Sequence, residues 1–376
     1  MPGRRGNSEG SIVKRTDGRW MARFTLDNGE RKTLYAKTRQ EVARLLAEAL
    51  RDRDKGLPII EERQTLEQYL ARWFEMIQPT IGPTSFKKYR QQLLLHVAPT
   101  LGVFSLAKLS AQQLQLLYAA KLKEGLSGTT VNLLHKIIHR ALDDALRLGL
   151  VQRNVADMVD PPRRQPFEMN PLTLDQARAL LSAAAGTRHE ALCHLALSTG
   201  MRRGELLALT WRHVDLDQGI LQVRATLKRY DGRFFIAETK TRRSRRRIAL
   251  TPSVCDTLRR HRALINEERL ALGQAWNDYD LVFPNAIGNP IDERSMVRHW
   301  FRPLLKKAGL PPIRFHDLRH TAATLLLLAG VHPKVVSEML GHASIAITLD
   351  LYSHVLPDMQ REATLAMERA LHLGAG

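Results

Sequence analysis

The pattern of hydrophobic and polar positions divides the chain into three stretches of different character. In the first, three short strand-like runs, Ser11 to Arg15, Trp20 to Leu26 and Arg31 to Ala36, are separated by Asp17-Gly18 and Asn28-Gly29. Such dipeptides accept the backbone angles of tight hairpin turns, so a three-stranded sheet is predicted. Thr38 and Glu41 then form a capping box ahead of Val42, Leu45, Leu46, Ala49 and Leu50, which share one helix face. One helix is expected to cover the sheet.

After Gly56 and Pro58 the pattern turns helical, beginning at the capping pair Thr65 and Gln68 and broken at Gly82-Pro83, Pro99 to Gly102 and Gly125 to Gly128. Four or five helices and no strand are expected. Ser110 and Gln113 repeat the capping box, and Leu133, Leu134, Ile137, Ile138, Ala141 and Leu142 recur with helical period. The proline-rich stretch Asp160 to Pro166 cannot continue a helix, because proline lacks an amide donor and restricts its predecessor. It reads as an extended basic linker. From Leu172 onward helices flank strands near Ile220 to Leu227, Phe234 to Glu238 and Arg246 to Leu250. The expected fold class is α+β multidomain. A small three-stranded β-sheet plus helix module occupies 1–58, an all-α bundle 62–160, and a mainly α domain with a small antiparallel sheet 168–376.

Composition narrows the function. The net charge of +19, from 57 Lys and Arg against 38 Asp and Glu, calls for an anionic partner, with nucleic acid the first candidate. Cys193 and Cys255 lie far apart in helical pattern, so neither a disulfide framework nor a cysteine zinc site is expected. The apolar stretch Leu325 to Leu328 is far short of the ~18 residues of a membrane span, so no membrane partner is expected. The basic start, Met1 to Arg5, lacks the apolar segment of a secretory signal, and a cytoplasmic location is expected.

Several polar residues could carry chemistry, each with a bland alternative. Arg202 follows Thr199-Gly200-Met201 at a junction between helices, where its fixed fork of donors matches two phosphate oxygens and Glu205 could orient it. A surface Arg-Glu pair accounts for this segment alone. His316 and Arg319 share one helix face and could meet one phosphate, a spacing that also arises by chance. His342 follows Gly341 at a helix end, the usual place of a capping or packing histidine. Tyr352 lies ten positions beyond His342. A phenol with a free pKa of ~10 is a poor nucleophile unless a base and cations stand nearby. Asp317, Asp350 and the other acidic residues do not gather into a magnesium-holding carboxylate cluster, which disfavours a two-metal nuclease.

The basic residues have their own alternatives. Lys87 and Lys88, with neighbours on the helical stretch, could follow a phosphate backbone or form plain helix surface, and Arg163 and Arg164 lie in the basic linker. A solvated surface accounts for the excess charge of the first module as well as a DNA-binding sheet does. The run holding Arg242, Arg243 and Arg245 reads either as a localisation signal or as a β-hairpin reaching into a groove with arginines on phosphates. Its position between Lys240 and an alternating strand favours the hairpin.

Taken in order, Thr199-Gly200-Met201-Arg202 with Glu205, Thr239-Lys240-Thr241, His316-Asp317-Leu318-Arg319, Leu340-Gly341-His342 and Tyr352-Ser353-His354 resemble the successive signatures of the tyrosine recombinases, the phage integrase family. The resemblance implies an arm-type DNA-binding module, a core-DNA-binding bundle and a catalytic domain. It implies Tyr352 as the nucleophile that leaves a 3′-phosphotyrosine, with Arg202, Arg319 and His342 on the non-bridging oxygens. His316 would assist proton transfer at the tyrosine, Lys240 would protonate the departing 5′ oxygen, and Glu205 would position its neighbours. Double-stranded DNA, a homotetramer and a recombination directionality factor are the implied partners, with no cofactor and no metal. A DNA-binding regulator of the same fold and a type IB topoisomerase-like enzyme are the alternatives.

Overall fold

The computed structural model describes residues 10–25, 29, 31–54, 64–163, 170–238, 245–342, 344–352, 364, 365, 367–369 and 371, with the backbone alone described at 52, 53 and 350–352. The chain divides into two compact units, Met1–Pro166 and Phe167–Gly376. The expected join between the first two domains falls on 55–63, outside the described residues.

In the first unit β1 (Ser11–Lys14), β2 (Trp20–Thr25) and β3 (Arg31–Ala36) form an antiparallel sheet in that order. Gly18 supplies the positive φ of +81° that the first turn needs. Helix α1 (Arg39–Asp54) starts where Glu41 N–H donates to Thr38 Oγ1 at 3.2 Å. Ala22, Phe24 and Ala36 on one face of the sheet bury against Val42, Leu46 and Ala49 of this helix.

The bundle comprises α2 (Leu66–Ile77), α3 (Pro83–His96), α4 (Ala98–Leu101), α5 (Ala111–Lys123) and α6 (Gly128–Arg147). Complete capping boxes at Thr65 with Gln68 and Ser110 with Gln113 start α2 and α5, satisfying amides that the first turn would leave without partners. Tyr69 and Trp73 of α2 are buried against α6, and each finds a polar partner there. The Tyr69 hydroxyl donates to Ala141 O and Trp73 Nε1 donates to Asp144 Oδ2 at 2.8 Å. Leu134, Ile137, Ala141 and Leu142 form the inward face of α6.

The second unit opens with α7 (Leu174–Ala184), α8 (Glu190–Thr199) and the single turn α9 (Arg203–Leu206). Strands β4 (Val214–Asp215), β5 (Ile220–Val223), β6 (Ala225–Tyr230), β7 (Arg233–Glu238) and β8 (Arg246–Ala249) follow. Then come α10 (Pro252–Leu272), α11 (Glu293–Met296), a π-helical turn at Val297–Phe301, and α12 (Arg302–Lys307). Last are α13 (Asp317–Leu328), α14 (Pro333–Leu340) and α15 (Ile345–Tyr352). Leu192, Leu195, Leu206, Leu221, Leu258, Val282, Phe301 and Leu318 bring helices and sheet into one core. Among the described residues no helix is long and apolar enough to cross a membrane.

The strands differ from expectation in one respect. The run from Ile220 to Leu227 splits at Arg224: among the described residues β5 joins the sheet β4-β5-β8, whereas β6 pairs with β7 alone. Asp231 and Gly232, at φ +51° and +80°, close β6 onto β7 as a two-residue hairpin. Among the described residues β7 and β8 belong to different sheets, and the segment between them that holds Arg242 and Arg243, where a hairpin is expected, lies outside the described residues.

Leu134 is fully buried in the bundle. Leu134→Ala is expected to lower stability by ~2–5 kcal/mol, the usual effect of leaving a cavity in a packed core, and to lower the urea midpoint of the bundle's unfolding. An unchanged midpoint would show that α6 is not packed as described.

Candidate active site

Two helix ends made by glycine set the geometry. Helix α8 stops at Gly200, whose φ of +59° and close approach exclude a side chain, since a Cβ there would lie 2.5 Å from Leu340 Cδ2. The reversal places Arg202 at the start of α9, where its Nη2 donates to Gly341 O at 2.8 Å and its Nη1 to Glu205 Oε1 at 2.9 Å. Gly341 ends α14 in the same left-handed conformation, φ +67°. The carbonyl that receives Arg202 thus belongs to the residue just before His342.

Glu205 is buried and, among the described residues, accepts from three donors. Besides Arg202 Nη1, its Oε2 receives the backbone N–H of Arg202 at 3.0 Å and Nη2 of Arg246 at 2.9 Å. Burial pushes its pKa up. The hydrogen bond and charge of Arg246, and then the bonds from Arg202, outweigh burial and hold the carboxyl below its ordinary value. Arg246 also donates from Nε to Met339 O at 2.6 Å, tying β8 to the last turn of α14.

Arg319, on the first turn of α13, is buried and donates from Nη1 to Gly200 O at 2.8 Å. His316 precedes that helix and meets His320 edge to face, with ring centroids 5.6 Å apart. Asp317 is occupied by Arg314, which donates to it from its backbone N–H at 2.8 Å and from Nη2 at 2.7 Å. His342 shares a hydrogen bond between Nδ1 and the hydroxyl of Thr348, a fully buried residue of α15, at 2.8 Å. Burial first, and then surrounding cations, push both candidate imidazoles down to about 4. For His342 these cations are led by Arg319 and Arg202, and for His316 His320 acts before Arg319. Both rings are therefore neutral near pH 7.

The structure thus gathers Arg202, Glu205, Arg319 and His342 around the ends of α8 and α14, and the charge of Arg319 reaches both His316 and His342. Lys240 lies outside the described residues, as do Arg242, Arg243 and Arg164. Tyr352 is described by its backbone alone, at a position one helical turn beyond Thr348 on α15. Arg245 is exposed and pairs with Glu238, so it is held at the end of β7. Lys87, Lys88 and Arg163 are exposed in the other unit. Sequence reasoning missed Arg246 and Thr348. The first could have been found from alternation, because Arg246 stands two positions before the buried Ile248 and so shares its inward face of β8. Among the described residues no group of three or more His, Cys, Asp or Glu is placed to hold a metal ion.

Residues 170–359 match the model of the phage integrase family, and residues 65–122 match that of the phage integrase N-terminal SAM-like domain. The chain is 33% identical to an integrase of Streptomyces ambofaciens over 366 residues, which cover 92% of each protein. It is 29% identical to a tyrosine recombinase XerC-like protein of Caldanaerobacter subterraneus over 359 residues, 90% of this chain and 92% of the relative. The fold is similar to that of the Tn1549 transposon integrase in complex with transposon right end DNA, at a TM-score of 0.68 and 22% identity over 80% of this chain and 99% of that one. It is also similar to lambda integrase, solved as a tetramer bound to a Holliday junction, at a TM-score of 0.57 and 18% identity over 93% of this chain and 96% of that one.

Because both imidazoles titrate below the ordinary 6.5, the unfolded chain takes up protons that the folded site resists. Their contribution to stability is full above about pH 6.5 and is lost as the pH falls toward about 4. The urea midpoint is expected to drop across that window, and a His316→Gln/His342→Asn variant to show a shallower drop. Equal slopes would mean that neither ring is held neutral by its surroundings.

Proposed function

This chain belongs to the phage integrase family and is a tyrosine-type site-specific recombinase, and from that premise we propose that it cuts and rejoins double-stranded DNA through a 3′-phosphotyrosine at Tyr352. The observation that carries this reading is the meeting of Arg202, Arg319 and His342 at two adjoining helix ends, with His342 bonded to Thr348, which precedes position 352 by one turn of α15. In this reading the tyrosine oxygen attacks the scissile phosphorus, the bond from phosphorus to the 5′ oxygen breaks, and a Tyr–O–P ester forms. The phenolic proton passes to His316, which is neutral and so able to accept it. Lys240 supplies a proton to the departing 5′ oxygen.

Arg202 and Arg319 hold the non-bridging oxygens as negative charge builds on them, and His342 adds a hydrogen bond. Such fixed donors need no rearrangement during the reaction. The ester keeps the energy of the broken bond, so a 5′ hydroxyl from another strand can reverse the step without ATP. Residues 1–58 would act as an arm-type DNA-binding module, 62–160 as the core-binding domain and 168–376 as the catalytic domain. Lys87, Lys88, Arg163, Arg164, Arg242, Arg243 and Arg245 would contact the phosphate backbone. Exchange between two duplexes requires four subunits, and the tetramer solved for lambda integrase supports that assembly here. The biological outcome would be integration and excision of a phage or other mobile element.

A nicked half-site duplex tests the reading directly, since the released strand cannot return and the covalent complex accumulates. The parent protein is expected to trap on its own site. Trapping on any sequence would point to a topoisomerase, and no trapping to a DNA-binding regulator. Tyr352→Phe should bind DNA as the parent does yet form no adduct; a retained adduct would identify a different nucleophile.

Binding should also be strongly salt-dependent. Each phosphate contact releases counterions, so affinity is expected to fall ~10³–10⁵-fold between 50 and 200 mM salt if six to ten phosphates are neutralised. A flat salt dependence measured by fluorescence anisotropy would contradict binding through the basic surface.

A further inference from the structure

We propose that Arg246 is a positioning residue for strand cleavage, serving as the main counter-charge of Glu205 so that the Arg202 guanidinium keeps its positive charge available to a DNA phosphate. This rests on the reading of Arg202 as a phosphate ligand. The two arginines share one carboxylate but sit in different surroundings. Arg246 is 7% exposed beside Glu205 at 3%, whereas Arg202 is 38% exposed. Arg246 directs Nη2 to Glu205 and Nε to Met339 O, and its Nη1 is so close to Gly341 that a Cβ there would come within 2.9 Å. It is packed between α9 and the end of α14, with little access for a ligand. Arg202 is the partner that a phosphate can reach.

Charge arithmetic gives this arrangement its consequence. One arginine facing one buried carboxylate is a neutral pair, and a phosphate approaching it meets the carboxylate's repulsion as well as the guanidinium's attraction. A second arginine on the same carboxylate leaves the trio with one net positive charge, and the exposed member presents it. Arg246 is also the strongest of the groups that lower the Glu205 pKa against its burial, ahead of Arg202. The contact further fixes the first residue of β8, the strand that follows Lys240, to the carboxylate that orients Arg202.

Single-turnover cleavage of a nicked half-site duplex taken from the junction of its own element, at saturating DNA, tests the proposal alongside separate binding measurements. Arg202→Lys is expected to slow cleavage ~10²–10³-fold, as loss of one transition-state donor does. Arg246→Met should slow it comparably with little change in binding. Arg246→Lys, which keeps the charge without the fork, should lose only about tenfold. The double variant Arg202→Lys/Arg246→Met should be no slower than the slower single variant, because both changes act through one guanidinium. Where Arg246→Met fails to fold, the same cycle with Arg246→Lys decides. Effects that multiply in the double variant overturn the proposal, as does cleavage at the parent rate by folded Arg246 variants when Arg202→Lys is slowed. Parent-rate cleavage by Arg202→Lys itself overturns the reading of Arg202 on which the proposal stands.

Discussion

A carboxylate held in the interior between two guanidinium groups is the constraint on which the rest of the site depends. Removing a carboxylate from water costs several kcal/mol, and that cost is offset only where every oxygen has a partner of good geometry. Glu205 has three donors from two side chains and one backbone amide, so it stays ionised despite burial. Because those donors come from α9 and β8, separated by 41 positions in Arg246 and Glu205, the carboxylate fixes how helix and sheet meet. Loss of either arginine would leave a buried charge half compensated.

The same arginines are drawn to helix ends. Arg202 donates to Gly341 O and Arg246 to Met339 O at the end of α14, while Arg319 donates to Gly200 O at the end of α8. The last carbonyls of a helix have no partner within it and carry the negative end of its dipole, so cations are favoured there. Three long, flexible side chains are thereby held by the backbone of two helices. Glycine is favoured at both ends because the left-handed turn strains any other residue, and a Cβ would also press on Leu340 or Arg246.

Local signals were legible in the sequence and tertiary ones were not. Thr65 and Ser110 announce their helices because a capping box is complete within four residues, and Gly18 marks its turn for a similar reason. The run from Ile220 to Leu227 was read as one strand because its apolar alternation continues across Arg224, whereas the change of pairing partner that divides it is set by tertiary contacts. Arg202, Glu205, His316, Arg319 and His342 were legible as an ordered set through resemblance. Their convergence depends on α8 meeting α13 and α14, which no local pattern encodes. The inward place of Arg246 was readable from its alternation with Ile248, but its partner Glu205, 41 positions away, was not.

The balance of charge around the imidazoles follows from this packing. Burial first, and then the charges around them, keep His316 and His342 neutral, so both add hydrogen-bonding capacity to the site without adding to its positive charge. A neutral imidazole can accept a proton at one nitrogen and still donate a hydrogen bond from the other, which fits both proposed roles. In the proposed complex a phosphate before Arg202 and Arg319 would offset the part of the shift that comes from the surrounding cations, leaving the part due to burial, and the rings' affinity for a proton would rise. In the proposed reaction the group that receives the phenolic proton therefore becomes a stronger base when DNA is in place than when the site is empty. Arginines that keep their charge at any working pH suit the electrostatic part of this exchange, and a histidine held neutral suits the proton transfer.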